Sequence, residues 1–205
     1  MRHSEAFEAL IDTLKVTVAT LRAADIPFML GGSLAAWARG GPEPRNDLDL
    51  MVKPQDAHAA LDALAAAGMR TERPPEEWLY KAWHGDVLID LIFGPSGLEL
   101  TDEVLARADE MPVMAIATPV MSIEDMLVTM LYALDEHCLD YGALVAIARS
   151  LREQIDWPQL RARAFASPYA KAFFTLVEEL GIAPRTSGAP GASGPSRVRV
   201  LPAGG

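Results

Sequence analysis

The chain has a single cysteine, Cys138, in 205 residues. A lone thiol closes no internal disulfide, so the fold must be held by packing, and a reducing compartment suits it best. No stretch approaches the roughly 20 uninterrupted apolar residues of a membrane-spanning helix. The opening "MRHSEAFEALIDTL" carries acidic residues every few positions and lacks the apolar centre of a signal peptide. The expectation is a cytoplasmic protein with no membrane partner. Basic residues are scarce: 18 against 28 acidic ones, for a net charge of -10, and three of the 18 lie beyond residue 181, where no acidic residue remains. So acidic a body is poorly suited to neutralise a long phosphate backbone, which argues against a broad nucleic-acid footprint and leaves room for a small local contact with RNA.

What remains is ordinary globular composition, 50% hydrophobic and 22% charged. The length allows one domain with a real core and a small helical appendix. Residues 5–24 repeat apolar side chains at three- and four-residue steps (Phe7, Leu10, Ile11, Leu14, Val18, Leu21), which predicts an amphipathic helix. "IPFMLGG" reads as a strand ending in a tight turn, with Ser33 as the N-cap of a short helix. "GGPEPRN" reads as a loop, "DLDLMV" as a strand, and "PQDAHAALDALAAAG" as a helix bounded by Pro54 and Gly68. "WLYKAW" and "VLIDLIF" flank "HGD" as a hairpin. Thr101 caps a helix over "TDEVLARA", "PVMAIAT" is a strand, and Ser122 opens a helix running to His137. Helices follow over 139–152, 156–166 and 168–180. The Pro, Gly and Ser of the remainder cannot bury enough surface to offset their ordering entropy, so a disordered tail is expected over 182–205. The reading is therefore α/β (α+β): a core over 1–118 with a small mixed sheet flanked by helices, then a helical region over 119–181.

The chemistry is concentrated in "RNDLDLMV". Residues two apart on a strand share a face, so Asp47 and Asp49 project together while Leu48 and Leu50 point the other way. Two bare carboxylates this close repel, and a hard divalent cation such as Mg²⁺ removes the conflict. Alone, Asp-x-Asp is also a common solvated strand end. Asp90 sits between three apolar residues on either side, where a carboxylate is costly unless paired or metal-bound; simple alternation toward water is the competing reading. "LGGS", residues 30–33, brings glycines and a helix start to the end of the preceding strand, either as an anion cradle or as an ordinary Gly-Gly turn. Taken together, a phosphate cradle, a carboxylate pair and a third carboxylate on an adjacent strand are the parts of two-metal phosphoryl transfer.

With Gly32-Ser33, a thirteen-residue spacer, Asp47-Leu48-Asp49-Leu50 and the later Asp90, the sequence resembles the DNA polymerase β-type nucleotidyltransferase superfamily. "GGSLAAWARGGPEPRNDLDLMV" and "VLIDLIF" are most similar to its small bacterial branch, which includes aminoglycoside and lincosamide nucleotidyltransferases and AbiEii- and MenT-like toxins. The resemblance covers roughly residues 5 to 180. It implies a polymerase β-like core and transfer of a nucleoside monophosphate from an NTP, ATP among the candidates, to a hydroxyl acceptor with release of pyrophosphate. It implies that Asp47 and Asp49 hold two Mg²⁺ ions, that Asp90 completes the second site and serves as general base, and that Gly32 and Ser33 bind the β- and γ-phosphates. Arg45 is a candidate phosphate clamp through its planar fork. The chain departs from the branch in having Asn46 where Thr is frequent. Thr129 and Met130 stand where a lysine is usual, and no lysine occurs between 82 and 170. Two alternatives therefore stand beside the enzyme: a toxin-like transferase acting on tRNA, and a catalytically weakened nucleotide-binding module.

Other residues carry less. Tyr80, between Trp78 and Trp83, is either core or part of a base or acceptor pocket. His84 is a turn residue, and His137 complements a helix C-terminus. The spacing of His and Cys is too sparse for zinc. Arg149, Arg152, Arg161, Arg163 and Lys171 form either a solvated face or an acceptor surface for a polyanion.

Overall fold

In the computed structural model, residues 5–45 and 47–185 are described. Helix α1 (Glu5–Ala23) buries Phe7, Leu10, Leu14, Val18 and Leu21, the stripe expected from periodicity. It is followed by β1 (Phe28–Leu30), α2 (Gly32–Ala38), β2 (Asp47–Val52), a 3-10 turn at Pro54–Asp56, α3 (Ala57–Ala66), β3 (Arg70–Glu72), β4 (Leu79–His84), β5 (Val87–Ile92), α4 (Asp102–Leu105), β6 (Asp109–Val113) and β7 (Ile116–Val120). Four helices complete the described chain: α5 (Ile123–Tyr132), α6 (Tyr141–Leu151), α7 (Trp157–Ala164) and α8 (Pro168–Glu179).

The seven strands form one mixed sheet in the order β3-β4-β5-β2-β1-β7-β6. Strand β2 runs antiparallel to β1 and parallel to β5. One face carries Leu48, Leu50, Ile89 and Leu91, all fully buried, and is covered by α1 and α3. Each of these side chains contributes about 1.5–3 kcal/mol of apolar burial. The opposite face carries Asp47, Asp49 and Asp90, and α2 begins against it. The order of the elements thus packs the apolar side chains of β2 and β5 on one side of the sheet and gathers their three carboxylates on the other.

The helices α5 to α8 pack on one another around Leu144, Ile147, Leu160, Phe173 and Phe174, all buried. A buried carboxylate ties α5 to α7 and to the turn after α4. Asp125 accepts hydrogen bonds from Arg107, at 2.9 and 3.1 Å, and from Arg163, and its own backbone N–H is capped by Ser122. Burial raises the Asp125 pKa, but the donors Arg107, Arg163 and Ser122 together outweigh it and hold the carboxyl below its usual range.

Several local expectations are corrected. The N-cap of α2 is Gly31, without a side-chain cap, and Ser33 lies inside the helix. "PVMAIAT" is not one strand. Met114 and Ala115 take left-handed φ of 48° and 67°, turning the segment into the β6–β7 hairpin. The helix from Ser122 ends at Tyr132, where Asp135 begins a new turn by accepting from the N–H groups of His137 and Cys138, so His137 lies outside the last turn of a helix. At the chain end, Ile182 and Ala183 are buried and belong to the core, not to a tail. The disordered tail expected beyond them lies, from residue 186, outside the described residues, as does Asn46. No helix among the described residues is long and apolar enough to cross a membrane.

Candidate active site

Three carboxylates meet on the open face of the sheet. In the parallel β2–β5 ladder Asp49 lies level with Asp90, and Asp47 is two residues along on the same face. Each of the three can offer one oxygen to a cluster whose atoms all lie within 4.8 Å of one another. Leu48, Leu50, Ile89 and Leu91 anchor the two strands from below, so the carboxylates are set by a fully packed register.

The electrostatics are unfavourable without a cation. The Asp49 pKa is raised to about 7, first by burial, then by the charges of Asp47 and Asp90, with Arg45 opposing. The Asp90 carboxyl is also raised, chiefly by burial and also by Asp47, with Lys81 the largest opposing influence. One oxygen of Asp47, Oδ1, is buried and has no hydrogen-bond partner among the described residues. A buried oxygen without a donor, in an all-carboxylate set, suits a hard divalent cation such as Mg²⁺ better than a softer metal.

The turn before α2 is built around this cluster. The Gly31 N–H donates to the Asp49 backbone carbonyl at 2.9 Å. Gly32 has φ of 59°, and a Cβ placed there would overlap the Asp49 carboxylate. Glycine is therefore required twice over, for its left-handed backbone and for the close approach. The Ser33 hydroxyl accepts from the Arg45 backbone N–H at 2.9 Å, which closes the long loop between α2 and β2. The Arg45 guanidinium reaches across to Asp140 at 2.9 Å. Asp140 is the N-cap of α6, and its carboxyl is held low first by the Ala143 N–H and then by Arg45.

All six residues singled out in the sequence thus lie along one path, from Gly32 and Ser33 through Asp49 and Asp47 to Asp90, with Arg45 at its mouth. Sequence reasoning missed Lys81 and Asp140. Lys81 pairs directly with Asp90 across the β4–β5 ladder, with Nζ 3.4 Å from Oδ1. Its signal was present: a two-residue turn at Gly85-Asp86 fixes a register that puts Lys81 opposite Asp90. Tyr80, one residue earlier, is on the other face, where its ring packs on Phe93 and its hydroxyl meets His58 of α3. That position removes it from the carboxylate side. His84 ends β4 and bonds Thr13 of α1.

A family model described as an uncharacterised nucleotidyltransferase matches residues 9–178. Among solved structures, the antibiotic-resistance factor ANT(2'')-Ia in solution is similar over 82% of this chain and 94% of that one, at 15% identity and a TM-score of 0.58. That likeness establishes a shared polymerase β-like fold. The lincomycin-bound lincosamide antibiotic adenylyltransferase LnuA aligns over 72% of this chain and 98% of its own, at 16% identity and a TM-score of 0.48. No curated protein matches the sequence.

Proposed function

Because the chain belongs to this family of nucleotidyltransferases, we propose that it moves a nucleoside monophosphate from an NTP to the hydroxyl of a small acceptor, with Asp47, Asp49 and Asp90 holding two Mg²⁺ ions. The observation that carries this reading is the cluster itself: three strand-borne carboxylates within 4.8 Å, one with a buried oxygen that lacks a donor. Bound there, the ions would stabilise charge on the triphosphate and favour ionisation of the attacking hydroxyl. The chain's own residues do the rest. The backbone around Gly32 and Ser33 cradles the β- and γ-phosphates, and Arg45 exchanges its Asp140 partner for phosphate oxygen. Asp90 takes the proton of the acceptor hydroxyl as its oxygen bonds to the α-phosphorus. The bond from that phosphorus to the bridging oxygen breaks, and pyrophosphate leaves.

The helical half supports a small acceptor over a polyanion. Arg161 is paired with Glu178 at 2.7 Å, Arg163 with Asp125, and Arg152 with Glu153 at 3.0 Å. Much of the basic cluster is therefore already neutralised within the fold. The fold shared with an antibiotic-resistance factor recommends small hydroxyl-bearing antibiotics as first acceptors to try.

The test is transfer of label in the presence of Mg²⁺, with each NTP labelled in turn at the α- or γ-phosphate. The α-label should appear in the acceptor and the γ-label in pyrophosphate. Asp49→Ala should transfer at least about 10³-fold more slowly. Equal transfer by wild type and Asp49→Ala would remove the carboxylate cluster from the mechanism.

A further inference from the structure

Of the four lysines, Lys15 lies on α1, Lys53 is held by Asp102 at 2.6 Å and Asp56 at 3.4 Å, and Lys171 lies on α8. Lys81 alone is set against the carboxylates. It is Asp90's direct cross-strand partner, so both side chains stand on the same face, and its Nζ lies 3.4 Å from Asp90 Oδ1. The Asp90 side chain is 16% exposed and that of Lys81 31%, so the contact is partly withdrawn from water and only partly screened. Strand β4 is in turn fixed on its other side by β3, where Thr71 pairs with Ala82. The ammonium thus starts from a backbone position held on both sides.

An ammonium on one carboxylate oxygen occupies one of its lone pairs, repels a cation from that side and restrains rotation, so the other oxygen is the one best placed to bind a cation. Without that engagement it can rotate about its last bond and present both oxygens to a cation. We propose that Lys81 is a positioning residue for the transfer: it holds Asp90 by Oδ1, so that a single oxygen faces Asp47 and Asp49 and the carboxylate stays set for the acceptor proton. This rests on the carboxylate-centred transfer proposed above. It adds a residue that touches neither nucleotide nor acceptor, and it predicts that cation affinity and turnover move in opposite directions when Lys81 is changed.

Full-length wild type, Lys81→Met, Lys81→Arg, Asp90→Asn and the Lys81→Met/Asp90→Asn double variant are titrated with Mn²⁺, with the free ion followed by electron paramagnetic resonance. Thermal melts establish that each is folded. Lys81→Met should bind Mn²⁺ about fivefold more tightly than wild type, because Asp90 is freed to grip and a like charge is removed. In the Asp90→Asn background only the through-space effect of the lost charge remains, so the same change should tighten binding by clearly less, about twofold or under. With the acceptor that wild type uses, Lys81→Met should lose about 10- to 100-fold in kcat with little change in KM for the NTP. Lys81→Arg should recover most of that loss. A purely structural role would lower affinity and turnover together, and that result overturns the proposal. So does Mn²⁺ affinity unchanged by Lys81→Met, or tightened equally with and without the Asp90 carboxylate. Failure of wild type to transfer any nucleotide would count against the proposed function alone, and the Mn²⁺ comparison would still decide whether Lys81 acts through Asp90.

Discussion

Replacing Asp49 by asparagine should raise the melting temperature of the protein in EDTA at pH 8. The Asp49 pKa is near 7 in the folded state against 3.8 for a free aspartate side chain. Below about pH 4 both states are protonated and the residue contributes nothing to the pH dependence. Between the two values the folded state keeps a proton that the unfolded state has lost, so stability falls as pH rises, and above 7 the loss is complete. Asparagine removes the charge and with it the loss; an increase of at least about 2–4 °C is expected, from about 1 kcal/mol or more. Differential scanning calorimetry from pH 5 to 8 checks it, and Mg²⁺ should stabilise wild type but not the variant. Gly32→Ala should do the reverse. Its Cβ overlaps the Asp49 carboxylate at a φ of 59°, so label transfer should collapse, whereas Gly68→Ala, with φ of 88° and open space around it, should lower the melting temperature and leave transfer unchanged. At this scale the sequence was legible where chemistry imposes a pattern. Two aspartates two apart and a third inside an apolar strand announce themselves. Asp140 did not, because its meeting with Arg45 spans a long separation that no local pattern encodes.

Among the elements, α5 carries a buried carboxylate that joins it to α7 and to the turn after α4. Asp125→Ala leaves the Arg107 and Arg163 guanidiniums without their shared partner, and it should destabilise the protein by about 3 kcal/mol, measured by urea denaturation. Because the folded Asp125 pKa lies below its unfolded value, the contribution is full above about pH 4 and is lost as pH falls below that toward the folded value. Acid unfolding of wild type should therefore begin at a pH where the variant shows no further loss from this residue. Helices and central strands were readable because their apolar periodicity is set by burial on one face. The misread elements are those where a turn does the work. Met114 and Ala115 reverse the chain without glycine, so "PVMAIAT" looks continuous. Ser33 resembles a cap, but Gly31 takes that place and the Ser33 hydroxyl turns instead to the Arg45 N–H. Strand β3, with Arg70 and Glu72 exposed on a sheet edge, has no apolar alternation to reveal it.

Across the whole molecule, the fold divides its labour by sheet face. Helices α1 and α3 cover one side, while the other brings together the turn before α2, the carboxylates of β2 and β5, and Lys81 of β4. The loop that carries Arg45 reaches α6, so the helical half borders the site at Asp140 without supplying any of the three carboxylates. This arrangement explains why the reaction class can be read from the chain and the acceptor cannot. On the proposed function the core residues answer to metal and phosphate chemistry, whereas acceptor recognition would be left to helices and loops with no fixed code. On the proposed function, Asp47, Asp49 and Asp90 form a divalent cation site beside the nucleotide. Its most direct test is anomalous diffraction from crystals grown with Mn²⁺ and a non-hydrolysable NTP. Anomalous peaks should lie among the three carboxylates, with the triphosphate running toward Gly32 and Ser33. Peaks elsewhere, or a triphosphate bound away from these side chains, would contradict it.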